Sequence, residues 1–135
     1  MKVSLKHQTR MFEIAHHIKY WSGCPQGRQH ACILTIAGKY IVATGYNGVP
    51  KAQICLDSSA CLVYTPAHMR SVCTAVHAEV NAIKNLQQLQ EGIVAFVTKE
   101  PCKKCCLTLR ENGVHDVYWQ EWHKGWIVDK GYKKL

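Results

Sequence analysis

What this sequence lacks narrows it quickly. No apolar run approaches the ~20 residues of a membrane span. The first residues, Met1 to Thr9, are basic and polar and carry no apolar core of a secretory signal. Internal repeats, low-complexity tracts and linkers are missing, so residues 1–135 read as a single domain. Acidic residues are scarce: 9 Asp and Glu stand against 17 Lys and Arg, for a formal net charge of +8. That balance points to an anionic partner without choosing between a nucleotide and a nucleic acid. Part of the excess is Lys130, Lys133 and Lys134 near the tail, where charges are ordinarily just solvated. No nucleic-acid-binding motif and no basic groove interleaved with aromatics is readable, which disfavours a nucleic-acid partner. With no signal and no span, the chain reads as cytoplasmic, and its 8 cysteines as thiols and metal ligands rather than a disulfide framework.

What is there centres on two short stretches, Val76-His77-Ala78-Glu79-Val80-Asn81-Ala82-Ile83 and Pro101-Cys102-Lys103-Lys104-Cys105. His77, Cys102 and Cys105 offer one nitrogen and two sulfurs. Three protein ligands leave the fourth tetrahedral position of a zinc ion open, as in catalytic zinc sites. Such a zinc makes a bound water acidic enough to act as hydroxide near neutral pH. Glu79, two residues after His77, is near enough to reach that water without being a ligand. It would take the proton and pass it on as a general acid/base. Pro101 suits the first turn of a helix, and a C-x-x-C at a helix start has its thiolates favoured by the dipole. The bland alternatives are a redox pair, half a structural zinc site, or an ordinary amphipathic helix around His77. Both halves in one chain, in order and with Pro101 in place, argue against them.

Periodicity organises the rest. Thr9 can cap a helix running to about Trp21, with Phe12, Ala15, Ile18 and Trp21 as its buried stripe. His16 and His17 cannot share that face and read as surface or packing residues. Ala31 to Ile36 and Tyr40 to Thr44 form a hairpin around Ala37-Gly38-Lys39. Gly45-Tyr46-Asn47-Gly48-Val49-Pro50 follows as a tight loop where backbone comes close to something. Residues 50 to 74 show no period. Ala75 to Leu89 reads as a helix, Ile93 to Thr98 as a strand buried on both faces, Cys102 to Asn112 as a helix and Val114 to Trp119 as a strand. The spacer between the motif halves has the length of one helix plus one strand, as a βαβ-type unit requires. Glu121 to Leu135 is interrupted by Gly125 and Gly131; Trp122 and Trp126 are expected to pack back on the body.

H-x-E … P-C-x-x-C is the signature of zinc nucleobase deaminases, and the chain resembles the cytidine deaminase superfamily, within it the deoxycytidylate (dCMP) deaminases. The resemblance runs from about Arg28 to Trp122. It rests on Arg28-Gln29, Ile41 to Pro50 with its G-Y-N-G-x-P, Val76 to Ile83, Pro101 to Cys105 and Val117-Tyr118. It implies an α/β fold, a three-layer α/β/α sandwich around a mixed five-stranded sheet, and zinc-dependent hydrolysis of dCMP to dUMP and ammonia. It implies a homo-oligomer, and regulation by dCTP and dTTP through a triphosphate site with Mg²⁺ at Gly45, Tyr46 and Gly48.

Asn47 matches the residue that holds the sugar, and Arg28 matches a basic residue that can meet the 5′-phosphate with its planar fork. Ala78, Tyr118 and Trp122 complete the implied substrate contacts. This sequence departs from the family at Ala52, where relatives carry glycine, and at His30-Ala31, where they carry Val-Gly. Its C-terminal part is short, which leaves the last strand and helix reduced. Some relatives hold a second, structural zinc; Cys24, Cys55, Cys61, His68 and Cys73 are candidates, although their spacings contain no C-x-x-C and suit buried free thiols as well. The alternatives to dCMP are another cytosine nucleoside or base, a cytosine or adenine in tRNA or single-stranded DNA, and a non-catalytic zinc module. A purely structural site would have no need of Glu79.

Overall fold

The computed structural model describes residues 2–23, 28–48, 76–88 and 90–135. Its elements run α1 (Leu5–Ile18), a 3₁₀ turn (Lys19–Trp21), β1 (Ala31–Ile36), β2 (Tyr40–Tyr46), α2 (Ala78–Asn85), β3 (Ile93–Val97), α3 (Lys103–Glu111), β4 (Val114–His123) and β5 (Trp126–Lys134). The strands form one mixed sheet in the order β2-β1-β3-β4-β5. Only β3 and β4 are parallel, joined over the sheet by α3; the other neighbours are antiparallel. The expected mixed five-stranded sheet is therefore present. No helix among the described residues is long and apolar enough to cross a membrane.

Alternation along the buried strands builds two cores, one on each face of the sheet. Cys32, Leu34, Ile93, Ala95, Val97 and Val117 face Ala78 and Ala82 of α2 and Leu109 of α3. Ala31, Ile33, Val94, Phe96 and Tyr118 face Met11, Phe12, Ala15 and Ile18 of α1. The result is the three-layer sandwich the resemblance implied. On the α1 side Phe12 meets Phe96 edge-on, with ring centroids 5.4 Å apart, and Phe96 stacks on Tyr118 at 5.5 Å. Aromatic pairs of this kind contribute about 0.5–1.5 kcal/mol beyond their buried area.

Several sequence expectations are corrected. Helix α1 starts at Leu5, not after Thr9, because Ser4 caps it: its Oγ accepts the His7 N–H. Trp21 leaves the buried stripe because the last turn tightens to 3₁₀, which rotates it into solvent at 57% exposure. His16 takes the vacated interior position, stacked on Trp122 with ring centroids 3.8 Å apart and bonded through Nε2 to the Gln120 carbonyl at 2.9 Å. Burial above all, and then the Lys19 charge, pushes its imidazole down to about 4. Helix α2 is shorter than expected, and β2 runs on through Gly45 and Tyr46, which the sequence suggested were loop. Beyond β4 the last strand is not reduced. The chain turns at Lys124 and Gly125, both at positive φ as a two-residue hairpin turn requires, and returns as nine-residue β5. No helix follows β4 among the described residues. Trp126 does not pack back on the body; it is 77% exposed.

Gly45 decides how close α2 can lie to the sheet. A Cβ there would stand 2.3 Å from the Ala82 nitrogen and 2.6 Å from the Ala78 carbonyl oxygen. Both are backbone atoms of α2, so neither can step aside. Gly45→Ala is expected to cost about 1–3 kcal/mol of stability, as overpacking does, read as a lowered urea midpoint at unchanged slope.

Candidate metal centre and active site

The two motif halves meet at the sheet end where β3 runs out. His77 is the N-cap residue of α2 and Cys102 that of α3; both are extended, and neither helix has a side-chain cap. Two helix N-termini, with their unpaired N–H groups, thus converge on one point. Their positive ends favour thiolate and any negative charge that develops there. Cys105, one turn into α3, is buried, whereas Cys102 is exposed.

The ligand atoms of His77, Cys102 and Cys105 all lie within 4.8 Å of one another. His77 Nδ1 is 3.2 Å from Cys105 Sγ and 3.8 Å from Cys102 Sγ. Tetrahedral zinc with bonds of about 2.0 and 2.3 Å sets nitrogen and sulfur about 3.5 Å apart, so the donor set and its spacing fit zinc. Nδ1 is the nitrogen that faces the sulfurs. Burial first, then the Glu79 charge and a hydrogen bond with Cys102, push the Cys105 thiol well up. A dipositive ion opposes those effects and favours the thiolate. Glu79 is 5% exposed and its charge bears on the Cys105 thiol, which puts its carboxylate near the cluster.

The substrate contacts expected from sequence divide. Ala78 opens α2, buried beside His77 and Glu79. The Asn47 Oδ1 accepts the His30 N–H at 2.8 Å, its Nδ2 donates to the Arg28 carbonyl, and its backbone N–H donates to the His30 carbonyl at 3.2 Å. Asn47 therefore fixes where the Arg28–His30 segment lies. Arg28 is half-buried at that same sheet end.

Tyr118 and Trp122 belong to the other face. Tyr118 is packed in the α1 core with its hydroxyl accepting the Val3 N–H, and Trp122 stacks on His16. The resemblance implied substrate contacts for both; here the α1 core and His16 are what they pack against. Gly45, Tyr46 and Gly48, expected at an effector site, have packing tasks. Gly45 admits α2. The Tyr46 carbonyl accepts from Asn81 of α2 at 2.9 Å. Gly48 exchanges two backbone hydrogen bonds with Val76, at 3.1 and 2.7 Å. Cys24, Ala52, Cys55, Cys61, His68 and Cys73 lie outside the described residues.

Two groups near the cluster were not foreseen. His30 is held at both backbone groups by Asn47, and its imidazole is pushed down to about 4 by burial first and then by the charges of Lys99, Lys19 and His77. Its only sequence signal was the departure from Val-Gly. Cys32 is wholly buried beneath the site, and burial together with Glu79 raises its thiol far above the usual range. It packs as an apolar residue.

Comparisons agree with this geometry. The sequence model of the cytidine and deoxycytidylate deaminase zinc-binding region matches residues 5–121. ComE operon protein 2 of Bacillus subtilis (strain 168) is 29% identical over 113 residues, covering 82% of this chain and 57% of that protein. Deoxycytidylate deaminase of Schizosaccharomyces pombe is 25% identical over 96 residues, covering 67% of this chain and 30% of that one. The chain thus spans between about a third and somewhat over half of the length of these relatives. Among solved structures, dCMP deaminase from the cyanophage S-TIM5 in complex with dCMP and dUMP has the same fold. Its TM-score is 0.70 at 21% identity, with 91% of this chain and 87% of that one covered.

The centre makes a direct demand on metal content. Purified protein should carry zinc held by these residues, and Cys102→Ser or Cys105→Ser should lower the zinc-to-protein ratio, measured by elemental analysis after dialysis. Equal zinc in wild type and both variants would refute the ligand assignment.

Proposed function

The chain belongs to the family of the cytidine and deoxycytidylate deaminase zinc-binding region, and from that premise we propose that it hydrolyses dCMP to dUMP and ammonia. The observation that carries the proposal is Glu79: a buried carboxylate in the first turn of α2, two residues after His77 and outside the three-ligand cluster. A structural zinc site has no use for such a group, whereas a hydrolytic site requires one. Support for the nucleotide comes from the cyanophage enzyme of the same fold, which was solved with dCMP and dUMP, and from this chain's positive charge.

The residues divide the work as follows. Zinc held by His77, Cys102 and Cys105 supplies Lewis acidity and an open coordination position. Glu79 accepts a proton from the attacking water as oxygen bonds to C4 of the cytosine. It delivers that proton to N3, then carries the proton of the new C4 hydroxyl to the amine; the C4–N bond breaks, ammonia leaves and C4 becomes the carbonyl of uracil. Proton transfer by a positioned group contributes about 10²–10⁴-fold. The α2 and α3 N-termini add a fixed positive potential where negative charge develops. Asn47 holds the sugar side of the site through the segment it fixes, and Arg28, at the end of that segment, takes the 5′-phosphate. Neither a triphosphate effector nor Mg²⁺ belongs to this proposal, since packing accounts for Gly45, Tyr46 and Gly48.

Two variants test it. Glu79→Gln should keep the fold and the zinc but lose about 10²-fold or more in turnover of dCMP, followed by ammonia release. Turnover near wild type in a zinc-loaded variant would remove the proton-transfer role. Arg28→Ala should raise KM for dCMP more than for deoxycytidine, because only the former carries the phosphate. An equal change for both would show that Arg28 does not read it.

A further inference from the structure

The β4–β5 hairpin outruns the sheet. Val97, the last residue of β3, pairs with Trp119, yet β4 continues to His123 and returns from Trp126. The extension therefore stands past the end of β3, the same end at which Pro101 and the cluster follow. Its side chains are not those of a solvated turn. Trp126, Ile127 and Val128 are 77%, 51% and 58% exposed, and Lys124 sits at the tip.

A second exposed aromatic group shares this end. Trp21 meets Tyr46 edge-on with centroids 6.1 Å apart, and the Tyr46 carbonyl is held by Asn81 of α2, one turn from His77. Tyr46 pairs with Ala31, whose carbonyl accepts from Thr98 at the close of β3. Lys19, on the same 3₁₀ turn as Trp21, is bonded to His16 at 2.9 Å, and His16 in turn stacks on Trp122 of the hairpin. Lys99 adds its charge from the β3–α3 connection and Lys130 from β5. Acidic groups offset part of this charge: Glu121 faces Lys19, the Asp129 carboxylate accepts the Trp119 indole N–H, and exposed Glu100 follows Lys99.

We propose that this end of the molecule is a docking surface for a single-stranded polynucleotide, with bases stacked on Trp126 and Trp21 and phosphates tracking Lys19, Lys99, Lys124 and Lys130. Exposed aromatic faces beside a run of cations are what a single strand requires, since every base has a π-face and every linkage an anion. The two groups lie far apart in sequence, and only strand pairing brings them to one end. The docking stands apart from the deaminase reading. Its consequence, that a strand could present a cytosine to the cluster, rests on that reading.

The test is fluorescence anisotropy with a labelled oligodeoxycytidylate of about 12 nucleotides, alongside a duplex of the same length and a separate assay of dCMP turnover. The single strand should bind more tightly than the duplex. Its log K should fall linearly with log salt, by about 0.7 per phosphate neutralised. Trp126→Ala should weaken binding about tenfold, Trp126→Phe should recover most of that loss, and dCMP turnover should be unchanged in both. No binding at low salt, equal affinity for the duplex, or unchanged affinity in Trp126→Ala would overturn the proposal. So would self-association that Trp126→Ala abolishes in a protein that ignores the oligonucleotide, because a second copy would then be what covers the surface. Strand binding without dCMP turnover would refute the deaminase reading alone, and turnover without strand binding would refute the docking alone.

Discussion

The candidate site depends on how closely α2 lies on β2. An α-helix resting on a sheet is normally held off by side chains on both surfaces. Here Gly45 removes one of those layers, and backbone meets backbone at Ala78 and Ala82. That contact fixes the height of the α2 N-terminus above the sheet, and with it the positions of His77 and Glu79. Ala78 and Ala82 are themselves almost wholly buried, so the approach is matched by small residues on the helix side.

The other half of the site is set by a different constraint. Helix α3 follows the end of β3 after a short connection, and β3 is buried along its whole length between the two cores. Thr98 pins that end by accepting the Ala31 N–H at 3.0 Å and donating its own N–H to the Ala31 carbonyl. The start of β1 and the start of α3 are thereby tied together. Cys102 and Cys105 then face a histidine carried by another helix, and two N-termini point at the same space. Placing the ligands at N-caps leaves the helix-end donors unspent on capping and available to negative charge.

The same end of the sheet collects Asn47, Arg28 and His30, an arrangement that follows from the antiparallel pairing of β1 and β2. The residues just before β1 and just after β2 are neighbours, and Asn47, just after β2, bonds Arg28 and His30, just before β1. A cation-rich rim results, with Lys19 and Lys99 near His30. In a chain with 9 acids against 17 Lys and Arg, such a rim suits anions.

Local chemistry made much of this legible in the sequence. A zinc ligand set is defined by residue type and spacing, so His77, Glu79, Cys102 and Cys105 were readable, and strands buried on both faces announced themselves as apolar runs. What depends on which face a side chain takes was not readable. That Tyr118 and Trp122 pack on the α1 side of the sheet follows from the pleat and is not visible in the sequence. Gly45 read as a loop glycine because sequence shows a missing side chain and not the helix that needs the space. The nine-residue β5 was hidden because its residues are exposed and so carry no burial period; β4 supplies its hydrogen-bonding partner. The residues and their chemistry were thus set by the sequence, whereas the face each one meets was decided by pairing and packing between distant segments, which no local pattern encodes.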